Sequence, residues 1–284
     1  MARFAPVAPP QVLRGLKDMS DHIVGRYHLL LAHDVAARPE EYRGLLPDNS
    51  LVIMDNSIIE LGEPVDAETM KAALDVVPAQ VIVLPDMIRD ASRTLELSIQ
   101  GAADYARIID PRVQTFMAVP QGKDLAELKE CAWQLRQIPQ VSHWGVGRFV
   151  TEMLGTRTDF TSWLWENPAK VITNRFSPFI HLLGFSDNLE DDLTCARYPG
   201  VLGIDSAAPV RMGQYGQMVS RNIPSHTPRG DWWLTADGVI QPATVANLSL
   251  IRAWIAENYS EAYRRRAVQT GTPSSAVPQL PETL

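Results

Sequence analysis

Leu51-Val-Ile-Met-Asp55 and Val81-Ile-Val-Leu-Pro-Asp86 are two short apolar runs that each end on a carboxylate, and the amphipathic stretch Ala67–Val77 lies between them. An apolar run, a helix-length segment and a second apolar run form the pattern of a strand–helix–strand unit whose parallel strands are buried on both faces. Working outward, further runs stand at Tyr27–Ala32, Gln114–Val119, His143–Gly147, Phe179–Leu183 and Val201–Ile204. Helical periodicity covers Ala91–Ile109, Asp124–Ile138, Asn188–Tyr198 and Ala243–Ala267, with apolar residues three and four apart as in Leu125, Leu128 and Ala132. Seven strands are placed in this way, and an eighth is expected near Trp232–Thr235. The fold predicted is therefore α/β, a (β/α)8 TIM-type barrel, with Pro209–Gly230 as an insertion after the seventh strand.

A chain of 284 residues with 45% apolar and 21% charged side chains excludes wholesale disorder and a fibrous fold. About 250 residues suffice for one such barrel, so residues 27–268 are read as a single catalytic domain rather than two. Residues 1–26 are read as a leader, since Ala5-Pro6-Val7-Ala8-Pro9-Pro10 is too Pro-rich for regular structure. Residues 269–284, rich in Thr, Ser and Pro without periodicity, are read as a flexible tail.

Twenty-six Lys plus Arg against 33 Asp plus Glu give net −7, so any contact with nucleic acid needs a local basic patch rather than a whole-protein field. Cys131 and Cys195 are too few for a thiolate zinc site or a disulfide framework, which fits a reducing, cytoplasmic setting. No run approaches the roughly 18 apolar residues of a membrane span, and no membrane partner is expected.

Polar residues close the apolar runs: Asp55, Asp86, Gln121 after Met-Ala-Val-Pro, and Asp205 after Leu-Gly-Ile. In a parallel barrel all these ends open on one face, where active sites lie. A single carboxylate in such a place often caps the next helix, as expected for Asp66 and Asp187; the convergence of a set points to chemistry. Carboxylates alone can run glycosyl chemistry, one attacking an anomeric carbon and another moving protons. Metal-assisted hydrolysis is disfavoured, because the His residues form no H-x-H or H-E-x-x-H pair, and His181, within Phe-Ile-His-Leu-Leu-Gly, reads as a hydrogen-bonded core residue.

Taken in order, the strand-end motifs resemble those of the tRNA-guanine transglycosylase superfamily, and especially its smaller, phage-encoded, zinc-free members that place 7-deazaguanine bases in DNA. The family's Asp-Ser-Gly-Gly followed by an aromatic looks like Asp55-Asn56-Ser57-Ile58-Ile59, its base-reading Asp like Asp86, and its Val-Gln-Gly like Pro120-Gln121-Gly122. Its Gly-Leu-Ala-Val-Gly looks like His143-Trp144-Gly145-Val146-Gly147 and its Leu-Met-Gly like Leu182-Leu183-Gly184. Its nucleophile motif Asp-x-x-x-Pro-x-Arg-x-Gly is present in Asp205, Pro209, Arg211 and Gly213.

The resemblance implies a cofactor-free base exchange, with Asp205 as nucleophile and Asp55 as general acid/base. It implies base recognition by Asp86, Gln121 and Gly122, by backbone groups at His143 and Trp144, and by Leu183 against one base face, with Asn56 in the same site. Arg211 would hold a phosphate, with Arg221 and Arg229 in a basic rim, and Arg264-Arg265-Arg266 and Trp232-Trp233 as weaker candidates. The expected partners are DNA bearing the target guanine and a free 7-deazaguanine base, 7-cyano-7-deazaguanine foremost. Two departures keep alternatives open. The Cys3His zinc subdomain of the tRNA enzymes cannot be built from two cysteines, and the base-stacking aromatic is Ile58 or Ile59. Exchange on tRNA, nucleoside hydrolysis, a non-catalytic nucleic-acid-binding subunit and a homodimer are the competing expectations.

Overall fold

In the computed structural model, which describes residues 2–110, 114–167, 179–221, 233 and 236–270, with backbone alone for 260–270, the strands are eight. They are β1 (Arg3–Pro6), β2 (Tyr27–Leu31), β3 (Leu51–Asp55), β4 (Val81–Val83), β5 (Thr115–Ala118), β6 (Val141–Gly147), β7 (Phe179–Leu183) and β8 (Val201–Ser206). All pair in parallel in the order β1-β8-β7-β6-β5-β4-β3-β2. The two ends of that order, β1 and β2, lie side by side without a hydrogen-bonded ladder, so the barrel is nearly closed. Helices follow the strands, and the chain is a (β/α)8 TIM-type barrel.

The eighth strand is not where the sequence reading put it. It comes from the N-terminus: Arg3, Phe4, Ala5 and Pro6 pair with Gly203, Ile204, Asp205 and Ser206. The barrel therefore starts at Arg3, not at residue 27, and the reading of residues 1–26 as an irregular leader is corrected. Val7 N–H donates to Ser206 C=O at 3.1 Å, so the odd residues of this segment face β8. Pro6 then turns its missing N–H toward the unladdered β2 side, where the lost donor costs nothing. Pro9 and Pro10 start the helix Pro10–Met19, with Pro10 in its first turn, a position that suits its fixed φ. Proline density thus marks a strand end and a helix start. Of the rival eighth-strand candidate, Trp233 alone is among the described residues.

Alternation along the strands sorts the apolar residues into two layers. Ala5, Leu29, Leu31, Ile53, Val81, Val83, Met117 and Val119 fill the barrel interior. Val52, Met54, Ile82, Phe116, Ala118, Trp144, Val146, Leu182 and Ile204 face the helices. Two inward glycines make room for large neighbours: a Cβ on Gly203 would stand 2.2 Å from Cε1 of Tyr27, and one on Gly145 2.7 Å from Cδ1 of Leu183. The loop after β8 folds into the helix Ala208–Gln214, which touches the last helix, Pro242–Thr270, so closely that a Cβ on Gly213 would stand 2.3 Å from Cα of Thr244. Short helices unmarked in the sequence reading follow β2 at Ala32–Ala37 and Pro39–Tyr42, and follow β6 at Phe149–Leu154 and Thr158–Glu166. Among the described residues no helix is long and apolar enough to cross a membrane.

Candidate active site

Asp55 is the last residue of β3, half-buried at the strand-end face of the barrel. Its Oδ2 accepts the N–H of Ser57 at 2.8 Å. Ser57 itself adopts φ +64°, the left-handed region that a side chain ordinarily avoids. Burial pushes the pKa of Asp55 well above the usual carboxylate range, and the charges of Glu60, Asp205 and Asp86 act in the same direction against the Ser57 bond. Asp55 ends β3, Asp86 lies just past β4 and Asp205 near the end of β8, so the three carboxylates stand at the same end of the parallel barrel.

Asp86, three residues past β4, is held between two amides. Nδ2 of Asn56 donates to its Oδ1 at 2.8 Å, and Nε2 of Gln121 donates to its Oδ2 at 2.6 Å. The amide orientations are settled from behind. Asn56 Nδ2 also donates to the Leu84 carbonyl at 2.7 Å, and Gln121 Oε1 accepts the N–H of Arg89 at 2.9 Å. Arg89 is likewise left-handed, with φ +62°, so both strained side-chain-bearing residues of this quarter aim a backbone N–H at a polar group of the cluster. Burial pushes the pKa of Asp86 up to about 6 against the two amide bonds, because neutral donors only partly replace the water it loses.

Asp205, near the end of β8, is gripped differently. Oδ1 accepts from Nε2 of His181 at 2.9 Å and from the N–H of Gly184 at 3.1 Å. Nδ1 of the same imidazole lies 2.7 Å from the hydroxyl of Tyr27, on β2 across the interior. Gly203 leaves the space in which the Tyr27 ring lies.

Behind β6 and β7 a buried ion pair secures the backbone that carries Gly184. Arg157 and Asp192, both fully buried, meet at 2.6 Å. The Arg157 guanidinium also donates to the carbonyls of Val146 at 3.2 Å and Gly184 at 3.0 Å, and Asp192 accepts the N–H and hydroxyl of Ser186. Because each partner has several hydrogen bonds, the pair is compensated despite its burial.

The other expected site residues separate into two groups. Leu183 ends β7 and packs on the interior cluster beneath the carboxylates. Gly122 serves packing: a Cβ there would stand 2.8 Å from the backbone N of Leu128. His143 and Trp144 are not brought to the strand ends. His143 lies early in β6, bonded to Ser142 Oγ at 2.9 Å and Thr115 Oγ1 at 3.2 Å and packed on Phe179, the first residue of β7. Trp144 is fully buried on the outer, helix-facing side. The strand ends at Gly147, as the sequence indicates; the roles of His143 and Trp144 came from the resemblance, and both residues lie in the first half of β6, away from its C-terminal end.

Among the arginines, Arg211 is half-buried on the helix that follows Asp205. Arg221 is committed elsewhere, paired with Glu190 at 2.6 Å and Glu257 at 3.6 Å and stacked 5.3 Å over Trp254. Arg229 and Trp232 lie outside the described residues, as do the side chains of Arg264, Arg265 and Arg266. Trp233 packs on the interior cluster and donates to Asp34 at 3.3 Å, a rim-filling role. Arg148, unmarked in the sequence reading, directly follows β6, and its Cδ lies 3.7 Å from where a Cβ on Gly184 would stand. Its position after Gly147 was the available signal. His181 and Tyr27 were also missed as members of the site, since each sits in a run that reads as plain core.

Among the described residues no three His, Cys, Asp or Glu side chains are grouped to hold a metal ion. No known family model matches the chain, and no curated protein matches it.

Proposed function

We propose that the chain is a base-exchanging transglycosylase that replaces guanine in DNA with a 7-deazaguanine base through a covalent glycosyl-aspartate. The observation that carries this reading is the pairing of roles at one barrel end. Asp205 is held at one carboxylate oxygen, and Asp55, in the same region, is driven toward its protonated form. Two carboxyl groups with opposed tasks are what glycosyl transfer requires.

In the first half-reaction Asp205 forms a bond to C1′ of the target nucleotide as the C1′–N9 bond breaks, its electron pair leaving with guanine. The Asp55 carboxyl supplies the proton that the departing base needs, and becomes a carboxylate. In the second half-reaction that carboxylate takes the N9 proton of the incoming base, N9 attacks C1′, and the pair of the ester bond returns to Asp205. Protons and charge balance over the cycle with no cofactor. Asp86 offers a carboxylate acceptor and Gln121 the second N–H of its amide, the complement of a guanine-type N1–H, amino and carbonyl edge, while Asn56, whose two N–H bonds go to Asp86 and Leu84, fixes the carboxylate. The left-handed Ser57 stands where the similar family motif has glycine, which supports the alignment of that motif. DNA is preferred to tRNA because two cysteines cannot supply the tRNA enzymes' zinc subdomain. A target guanine within a duplex must leave the stack, at a cost of a few kcal/mol. Arg211, on the helix after β8, and Arg148, directly after β6, are assigned to its phosphates by their places at that end of the barrel.

The test is incorporation. Purified protein is mixed with 7-cyano-7-deazaguanine and either guanine-containing DNA or unmodified tRNA, each polymer is digested, and its nucleosides are identified by mass. Incorporation into DNA alone is expected. Incorporation into tRNA alone transfers the same chemistry to the other polymer, release of free guanine without incorporation makes the chain a hydrolase, and binding without either makes it a non-catalytic subunit.

A further inference from the structure

We propose that His181 is a positioning residue which, with Tyr27, holds Oδ1 of Asp205 and so selects Oδ2 as the oxygen that attacks C1′. The proposal rests on the transglycosylase reading above and assigns a role to a side chain that the sequence presents as core. It follows from donor and acceptor bookkeeping. An ionised carboxylate only accepts, so at 2.9 Å the ring nitrogen facing Asp205 must carry the hydrogen, which makes His181 the Nε2–H donor. In the Nε2–H tautomer Nδ1 has a lone pair, and the Tyr27 hydroxyl 2.7 Å away donates into it. Burial drives the phenol pKa up, so Tyr27 keeps the proton this arrangement requires. The tautomer is therefore set from both sides of the ring.

The second donor, Gly184 N–H, falls on the same oxygen at 3.1 Å. Among the described residues both hydrogen bonds of the Asp205 carboxylate are on Oδ1, and Oδ2 has none. When Oδ2 bonds to C1′, Oδ1 becomes the ester carbonyl oxygen and keeps both donors. When the incoming base displaces the ester, the returning charge meets donors already in place, which lowers the barrier without reorganisation. The relay spans β2, β7 and β8, and Gly203 makes it sterically feasible, since any Cβ there would collide with the Tyr27 ring.

Two measurements on the full chain test this. The first needs no substrate: 15N spectra of histidine-labelled protein should show His181 as the Nε2–H tautomer, and Tyr27→Phe, which leaves the Asp205 acceptor in place, should keep that tautomer while losing the bond at Nδ1. An Nδ1–H tautomer in the unaltered chain overturns the proposal. The second is kinetic. His181→Ala should lower kcat for base exchange by roughly ten- to a hundredfold with KM within about twofold, the scale of a lost hydrogen bond to a charged group. His181→Gln, whose amide N–H can reach Oδ1, should recover most of that loss. Equal loss in both variants, in step with their melting temperatures, reduces His181 to a structural residue and overturns the proposal. If the unaltered chain forms no adduct on DNA or tRNA, the nucleophile selection falls with the base-exchange reading. An Nε2–H spectrum in that case marks the failure as one of the reading and not of the geometry.

Discussion

On the β3–β5 side of the barrel's mouth Asp86 is enclosed by the amides of Asn56 and Gln121, and Asp55 accepts one backbone N–H. On the β7–β8 side Asp205 is held at a single oxygen by an imidazole and a backbone N–H. The difference teaches how one residue type takes several tasks on one scaffold. Neutral amides fix the place of a carboxyl without adding positive charge, so burial wins and the pKa values on that side rise. An imidazole beside a phenol fixes one oxygen of a carboxylate, and among the described residues the other has no hydrogen bond. The first arrangement suits proton transfer and base reading, the second nucleophilic attack.

The strongest way to break the comparison is Asp205→Ala. Exchange and adduct should disappear while polymer binding stays within about threefold, as expected for a group that acts only in the covalent step. Retained exchange would remove the nucleophile from the β8 side. Asp55→Asn should cost roughly 10²–10⁴-fold in exchange, the usual worth of a positioned acid/base group. In the unaltered chain guanine release should decline as pH rises through the elevated pKa of Asp55, because the donor loses its proton; a pH–rate profile that keeps this limb in Asp55→Asn would assign it elsewhere.

Arg157→Ala tests the support behind the β7–β8 side. Removing one partner of the fully buried pair with Asp192 should cost about 3–5 kcal/mol in urea unfolding, a loss milder than about 1 kcal/mol meaning that the pair does not brace the strand ends. Asp86 sharpens the other side through pH. Its folded pKa of about 6 lies above its unfolded value, so the native state holds the extra proton between about pH 4 and 6. Stability from this group is present in acid and lost as pH rises through that window, by on the order of 3 kcal/mol at pH 7. Unfolding curves of the unaltered chain and Asp86→Asn, compared at pH 4 and 7, should differ by that change in slope.

The smallest effects should separate the arginines. Arg211→Ala and Arg148→Ala should each weaken DNA binding and reduce its salt slope by about 1, whereas Arg221→Ala, already paired with Glu190 and Glu257, should leave the slope unchanged. A fall in slope for Arg221 would put the basic rim on the outer helices instead of around the strand ends.

Much of the barrel and half of the candidate site were legible in the amino-acid sequence. Strands β2 to β8 were readable because a parallel strand buried on both faces is a local apolar run, and Asp55, Asp86, Gln121 and Asp205 stood out because each breaks such a run at its end. The positive φ of Ser57 and Arg89 was not readable, since neither is glycine or asparagine, the residues that usually take that conformation. His143 and Trp144 were assigned through the family motif, yet they lie in the first half of a strand whose end, Gly147, the sequence does mark.

Sequence by itself determined the alternation of strands and helices and the carboxylates at the strand ends, because those signals lie within a few neighbouring residues. The tertiary structure alone decided that the proline-rich N-terminus closes the sheet, that Arg157 and Asp192 share a charge in the core, and that Tyr27 reaches His181 across 154 positions of chain. The physical reason is that a hydrogen-bond ladder, an ion pair and an imidazole's tautomer are each properties of partners, and a local pattern carries no record of a partner that only the closed barrel brings near.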